Sequence, residues 1–115
     1  MKIYLAGPYS DKDPSVRASR FDALNRKAGE LMKKGFHVFS PISHTHPIAV
    51  CCDLPLGYDF WEEYDRTFIE WCDEVWVLRL DGYAQSKGVD REIGEARRQG
   101  KRVRFIEVES MDVHG

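Results

Sequence analysis

Four short β-rich apolar runs, set between stretches of helical periodicity, constrain this chain more than any other feature. They are Lys2–Ala6 (KIYLA), His37–Ser40 (HVFS), Glu74–Leu78 (EVWVL) and Arg102–Val108 (RVRFIEV). Strands alternating with helices imply right-handed crossovers and a mainly parallel sheet. The expected fold is therefore α/β: a single-domain, doubly wound, Rossmann- or flavodoxin-like sheet of four to five strands flanked by helices. At 115 residues and 43% hydrophobic, the chain suits one core and one domain spanning residues 1–115. Ligands of such sheets bind beyond the carboxyl ends of the strands. Three loops then matter most: GPYS after the first strand, SPISHTHP after the second and LDGYAQSKG after the third.

The helices are read from their caps and spacing. Asp13 can cap a helix with Pro14 in its first turn, Phe21, Leu24, Ala28 and Leu31 recur at helical intervals, and Gly35 stops it. A second helix, from about Tyr58 to Cys72, is marked by Trp61, Tyr64 and Phe68, and a third runs from Gly88 to Gln99 before Gly100. Asp81-Gly82 turns the chain. The segment 41–57, PISHTHPIAVCCDLPLG, is too rich in proline and turn residues to assign beyond a short helix near Ile48.

A net charge of -2 from interspersed acids and bases argues against a nucleic-acid polymer or an anionic membrane as partner, leaving a small polar ligand or a protein. No apolar run approaches the roughly 20 residues of a bilayer span, and Met1-Lys2 leads straight into a strand-like segment rather than a signal-peptide core. The odd count of three cysteines, with Cys51 and Cys52 adjacent, fits a reducing compartment; the expectation is a cytoplasmic protein.

Two carboxylates stand out. Glu92 falls in the first turns of its helix, where free backbone N–H groups and the helix dipole favour an anion, so it is expected to stay ionised at neutral pH. The plain alternative is a surface acid complementing the dipole, a part Asp90 or Glu95 would fill equally well. Asp65 lies on or beside the apolar stripe of its own helix, where a carboxylate needs a partner. Partly desolvated, it would have a raised pKa and could act as a general acid; the alternative is a helix-edge acid paired with Arg66 or Arg91. Asp73 reads as a turn or capping acid.

Ser86 and Gly88 bring a hydroxyl, a permissive backbone and free N–H groups to the start of the Glu92 helix, which suits a phosphate but is also how helices begin. Gly7, Pro8, Tyr9 and Ser10 form a comparable loop, with Arg17 and Arg20 as possible anion partners. His44, His46, Cys51, Cys52 and Asp53 lack the spacing of common metal motifs, so no metal is assigned. His46 is the better ligand-contacting histidine. Trp61, Trp71 and Trp76 are at core spacing, with one of them a candidate to border a base pocket, and Arg97, Arg98, Lys101 and Arg102 read as complementing a helix C-terminus.

Taken in order, KIYLAGPYS, the Asp65 and Asp73 pair before VWVL, and GVDREIGEARRQGKRV resemble the nucleoside 2-deoxyribosyltransferase superfamily, which includes base-exchanging transferases and nucleoside 5′-monophosphate N-glycosidases. The similarity spans nearly the whole chain. It is greatest to a small, poorly characterised branch sharing the G-P-Y-S start and an S-H-P loop. The resemblance implies that Glu92 is the nucleophile, framed by Gly88, Gly94 and Ala96. Asp65 would position the sugar and protonate the departing base. Asp90 replaces a family glycine, which would place a negative charge beside the sugar. Ser86 stands where the monophosphate hydrolases have a phosphate-binding serine. The implied function is an N-glycosidase acting on a nucleoside or deoxynucleoside 5′-monophosphate. Alternatives are a base-exchanging transferase or a noncatalytic nucleotide-sensing module. Gly7, Tyr9, Ser10, His46, Ser86 and Gly88 would bind substrate; no metal or organic cofactor is required. The family habit also implies a homodimer or higher homo-oligomer.

Overall fold

The computed structural model describes residues 1–55 and 57–108, with Tyr58 described through its backbone alone. Residues 109–115 of the expected domain lie outside the described residues. The elements run β1 (Lys2–Ala6), α1 (Pro14–Lys33), β2 (His37–Phe39), α2 (Pro41–Cys52), α3 (Tyr58–Trp71), β3 (Glu74–Leu78), a 3-10 turn (Tyr83–Gln85), α4 (Lys87–Arg98) and β4 (Arg102–Ile106). The strands form one four-stranded sheet in the order β2-β1-β3-β4, every pair parallel. β2 ends one residue earlier than expected and β4 two residues earlier, at Ile106.

The period-2 alternation of the central strands sorts the core into two layers. Tyr4, Ala6, Val75 and Val77 pack with Ile69 and Cys72 at the end of α3 and with Val89 and Ala96 of α4. Leu5 and Leu78 point the other way, onto Leu24, Ala28 and Leu31 of α1. These are the residues whose helical spacing marked α1. Its start is as expected: Asp13 accepts a hydrogen bond from the Ser15 backbone N–H at 2.9 Å.

α2 is the main departure from expectation, a 12-residue helix where only a short one was foreseen. Its sequence argues against it, because Pro47 sits inside the helix and has no N–H to bond the Ser43 carbonyl. Packing compensates: Pro41 and Ala49 are buried, and Ile42 joins the α1 layer. Pro41 opens the helix, Thr45 Oγ1 donates to the Pro41 carbonyl at 2.7 Å, and Asp53 closes it in the left-handed conformation at φ 53°.

The chain leaves β1 outward to β2 and then returns across the sheet to β3. The topological switch therefore lies between β1 and β3, whose following loops diverge and open a crevice at their carboxyl ends. Arg20 holds the two loops together, donating to the Ser10 carbonyl at 2.9 Å and to the Asp81 carbonyl at 3.0 Å. Gly82 completes this link at φ +89°, and a Cβ there would stand 2.6 Å from Arg20 Nη2. Gly82→Ala is expected to lower stability by about 1–3 kcal/mol, since it meets both the strained φ and the guanidinium. An unchanged midpoint in urea would show that the turn adapts freely.

Candidate active site

The crevice contains a cavity of about 630 Å³. Gly7, Tyr9 and Ser10 reach it from the loop after β1, His46 from α2, Asp65 from α3, and Ser86, Gly88 and Glu92 from the start of α4. Residues scattered from position 7 to position 92 thus line a single space. Gly7 has a packing reason as well: a Cβ on it would come within 2.7 Å of Leu24 Cδ2, so a side chain would push β1 away from α1.

Beneath the cavity's lining stands a residue for which the sequence reading had no role. Tyr4, central in β1 and fully buried, donates its hydroxyl to Glu92 Oε2 and lies close enough to Asp65 for that carboxylate to act on it. A phenol in an otherwise apolar buried strand needs a polar partner, and that was the available signal. Burial, reinforced by the two carboxylates, holds its pKa well above the ordinary tyrosine value, so it remains a donor.

The electrostatics of Glu92 correct the expectation that it is ionised at neutral pH. Burial, and secondarily the negative charge of Asp65, push its pKa from 4.5 up to about 8, although the Tyr4 hydrogen bond opposes the shift. Desolvation and a like charge outweigh the helix dipole, which acts from the surface end. Burial also lifts Asp65 from 3.8 to about 6, again against the Tyr4 bond. Two carboxyls this strongly linked titrate as a pair and share one proton around neutrality.

Asp65 is not neutralised by the adjacent Arg66, whose guanidinium instead reaches Glu62 at 3.4 Å and Glu95 at 3.6 Å. Asp90 is also placed differently from expectation. It is exposed and lines a separate, smaller cavity of about 270 Å³ with Arg79, Tyr83 and Phe105, so its charge does not face the larger space. One helical residue advances about 100°, which turns position 90 away from the side that carries 88 and 92.

Ser86 caps α4: its Oγ accepts the Val89 backbone N–H at 3.2 Å, leaving its own proton to be donated into the cavity it lines. Arg17 lines the same cavity; Arg20 is committed to the two loop carbonyls. His44 is bonded through Nε2 to the Tyr64 hydroxyl at 2.8 Å, whereas His46 Nδ1 meets the Tyr9 hydroxyl. Cys51 and Cys52 are exposed free thiols, and among the described residues no group of three or more His, Cys, Asp or Glu is arranged to hold a metal ion. Nor is any described helix long and apolar enough to cross a membrane.

The tryptophans divide. Trp76 packs on Phe36, Trp61 lines the cavity, and Trp71 is 38% exposed with Lys2 over its ring. Core spacing overstated the burial of Trp71, which ends α3 at the sheet's margin. Within the basic cluster, Lys101 serves α3 rather than α4, donating to the carbonyls of Glu70 at 3.0 Å and Cys72 at 2.7 Å. Asp73 accepts the Lys2 backbone N–H at 2.8 Å and so joins β3 to the start of β1.

The same fold is found in a 2-deoxyribosyltransferase of known structure. The chain superposes on the 2-deoxyribosyltransferase of the psychrotolerant bacterium Bacillus psychrosaccharolyticus with a TM-score of 0.68 and 23% identity, covering 99% of this chain and 79% of that one. By sequence, residues 1–108 match the family described as a domain of unknown function, DUF1937, and the protein belongs to that family. No curated protein sequence matches it.

Proposed function

We propose that the protein is an N-glycosidase that cleaves the base–sugar bond of a nucleoside or deoxynucleoside 5′-monophosphate through a covalent glycosyl–Glu92 intermediate. The observation that carries this reading is the pair of carboxyls, Glu92 and Asp65, that line one cavity, both with raised pKa values and Glu92 bonded to the buried Tyr4 hydroxyl. A single proton shared by the pair meets both needs of the reaction: one carboxylate to attack and one acid to protonate the leaving group. The shared proton rests mainly on Glu92, the carboxyl of higher pKa; the reactive arrangement is the minor form of the pair, with the proton on Asp65 and the charge on Glu92, where Tyr4 stabilises it.

Glu92 then forms a bond to the anomeric carbon as the bond to the base nitrogen breaks, through an oxocarbenium-like transition state. The electron pair leaves with the base, and Asp65 delivers its proton there. In the second step water attacks the anomeric carbon, Asp65 takes the water's proton, and the Glu92 carboxylate departs. The Ser86 hydroxyl, the N–H groups around Gly88 and Ser10 hold the phosphate, with the charge of Arg17 in the same cavity. Tyr9 and His46 face the sugar or base.

Ser86→Ala is expected to raise KM for a 5′-monophosphate about tenfold and leave the corresponding nucleoside unaffected, apart from a stability loss of about 1 kcal/mol from the missing cap. Reaction of nucleosides but not monophosphates with the wild-type protein would remove this role for Ser86. The fold shared with a 2-deoxyribosyltransferase favours base exchange as a second reading. Product analysis separates them: free sugar phosphate formed without an acceptor base means hydrolysis, and product formed only with added base means transfer. Either chemistry uses the same first step.

A further inference from the structure

The wall of the cavity formed by α2 is largely apolar, with Pro41, Ile42 and Ala49 beside two polar groups, His46 and Thr45, the latter's hydroxyl proton being given to the Pro41 carbonyl. Its ring is held on two sides, by Phe21 at a centroid distance of 4.5 Å and by Tyr9 at 5.1 Å in an edge-to-face arrangement. A polar contact sets its tautomer. Arg17 donates to the Asp11 carbonyl, and its positive charge acts on Tyr9, so the phenolic oxygen turns toward the cation. The Tyr9 proton is then directed to His46 Nδ1, the atom its hydroxyl meets. Burial raises the Tyr9 pKa, so the hydroxyl keeps that proton. With Nδ1 an acceptor, the ring hydrogen lies on Nε2, and among the described residues no hydrogen bond engages that nitrogen.

We infer that His46 is a specificity-determining donor: its Nε2–H, fixed in that tautomer by the Arg17–Tyr9–His46 relay, binds an unprotonated ring nitrogen or carbonyl oxygen on the base. The inference rests on the nucleotide reading above for the identity of the ligand, and on the relay alone for the tautomer. A flat base fits the apolar α2 wall, and one directed donor on such a wall ranks bases by where they present an acceptor. Tyr9 and Arg17 act through His46 and are positioning residues.

Nitrogen-15 NMR of histidine-labelled, ligand-free protein reads the tautomer without turnover. The Nε2–H form is expected for His46, with a mixture of tautomers in Tyr9→Phe. Calorimetric binding of the four common deoxynucleoside 5′-monophosphates then reads the ranking. His46→Leu should compress the gap between the strongest and weakest about tenfold, while His46→Gln, whose amide reaches toward the Nε2 position, should keep the order. An Nδ1–H tautomer in the wild type overturns the relay. An unchanged gap in His46→Leu overturns the base contact. Absence of binding by all four nucleotides, with the tautomer as expected, overturns the base contact together with the nucleotide reading.

Discussion

Glu92→Gln is expected to stop base release, lowering kcat by at least about 10³-fold, because an amide cannot form the glycosyl ester. Nucleotide binding should survive, since the amide keeps the size of the carboxyl and still accepts from Tyr4. The same change should make the protein more stable. In the wild type the folded-state pKa of Glu92 is raised from 4.5 to about 8, so the folded protein holds a proton that the unfolded chain has released. Stability from this group is complete below about pH 4.5 and is lost progressively as the pH rises to about 8. Gln carries no such penalty. The variant should gain roughly 1–3 kcal/mol over the wild type above pH 8, after allowance for water in the cavity, and almost nothing near pH 4. Thermal unfolding of both proteins across that range checks it. An advantage that is constant with pH would mean that the carboxyl is not held protonated by its surroundings, and retained base release would remove Glu92 as the nucleophile.

The second large effect concerns Asp65. The wild-type rate should follow a bell with limbs near pH 6 and pH 8, the values that the pair displays. Below the lower limb both carboxyls are protonated and no nucleophile is present; above the upper limb both are charged and no acid remains. Asp65→Asn should lower the rate for natural bases by about 10²–10⁴-fold. It should do so far less for a substrate whose leaving group departs without a proton. Because the charge of Asp65 is one cause of the raised Glu92 pKa, the remaining titration should also move to lower pH. Equal losses with both kinds of leaving group would assign Asp65 a positioning part rather than acid catalysis.

Much of this architecture was legible because it rests on local pattern. The four apolar runs and the stripe Leu24, Ala28, Leu31 mark elements that bury one face, and period and caps are properties of the chain itself. The crevice could be placed at the strand ends by topology alone, which is why Gly7, Tyr9, Ser10, Ser86 and Gly88 could be named from the loops and helix start that now line the cavity. α2 was illegible for a physical reason. Pro47 and β-branched neighbours disfavour an isolated helix, and the burial of Pro41 and Ala49 that offsets them exists only after the sheet has formed.

For the acids the division is sharper. The amino-acid sequence by itself marked Asp65 as unusual, since a carboxylate on an apolar stripe is costly wherever the helix goes, whereas helix rules alone left Glu92 equally a surface acid. Only the tertiary structure decided what they are to each other. Bringing α3 and α4 together over Tyr4 places both carboxyls in one poorly hydrated space: burial raises both pKa values, the charge of Asp65 raises that of Glu92 further, and two separate acids become one proton-sharing pair. Likewise, composition supplied Asp90, but the rotation of α4 against the sheet turned it out of the cavity. Residue type and spacing are local and are written in the chain; proximity across long sequence separations, and the desolvation that follows from it, come into being only on packing.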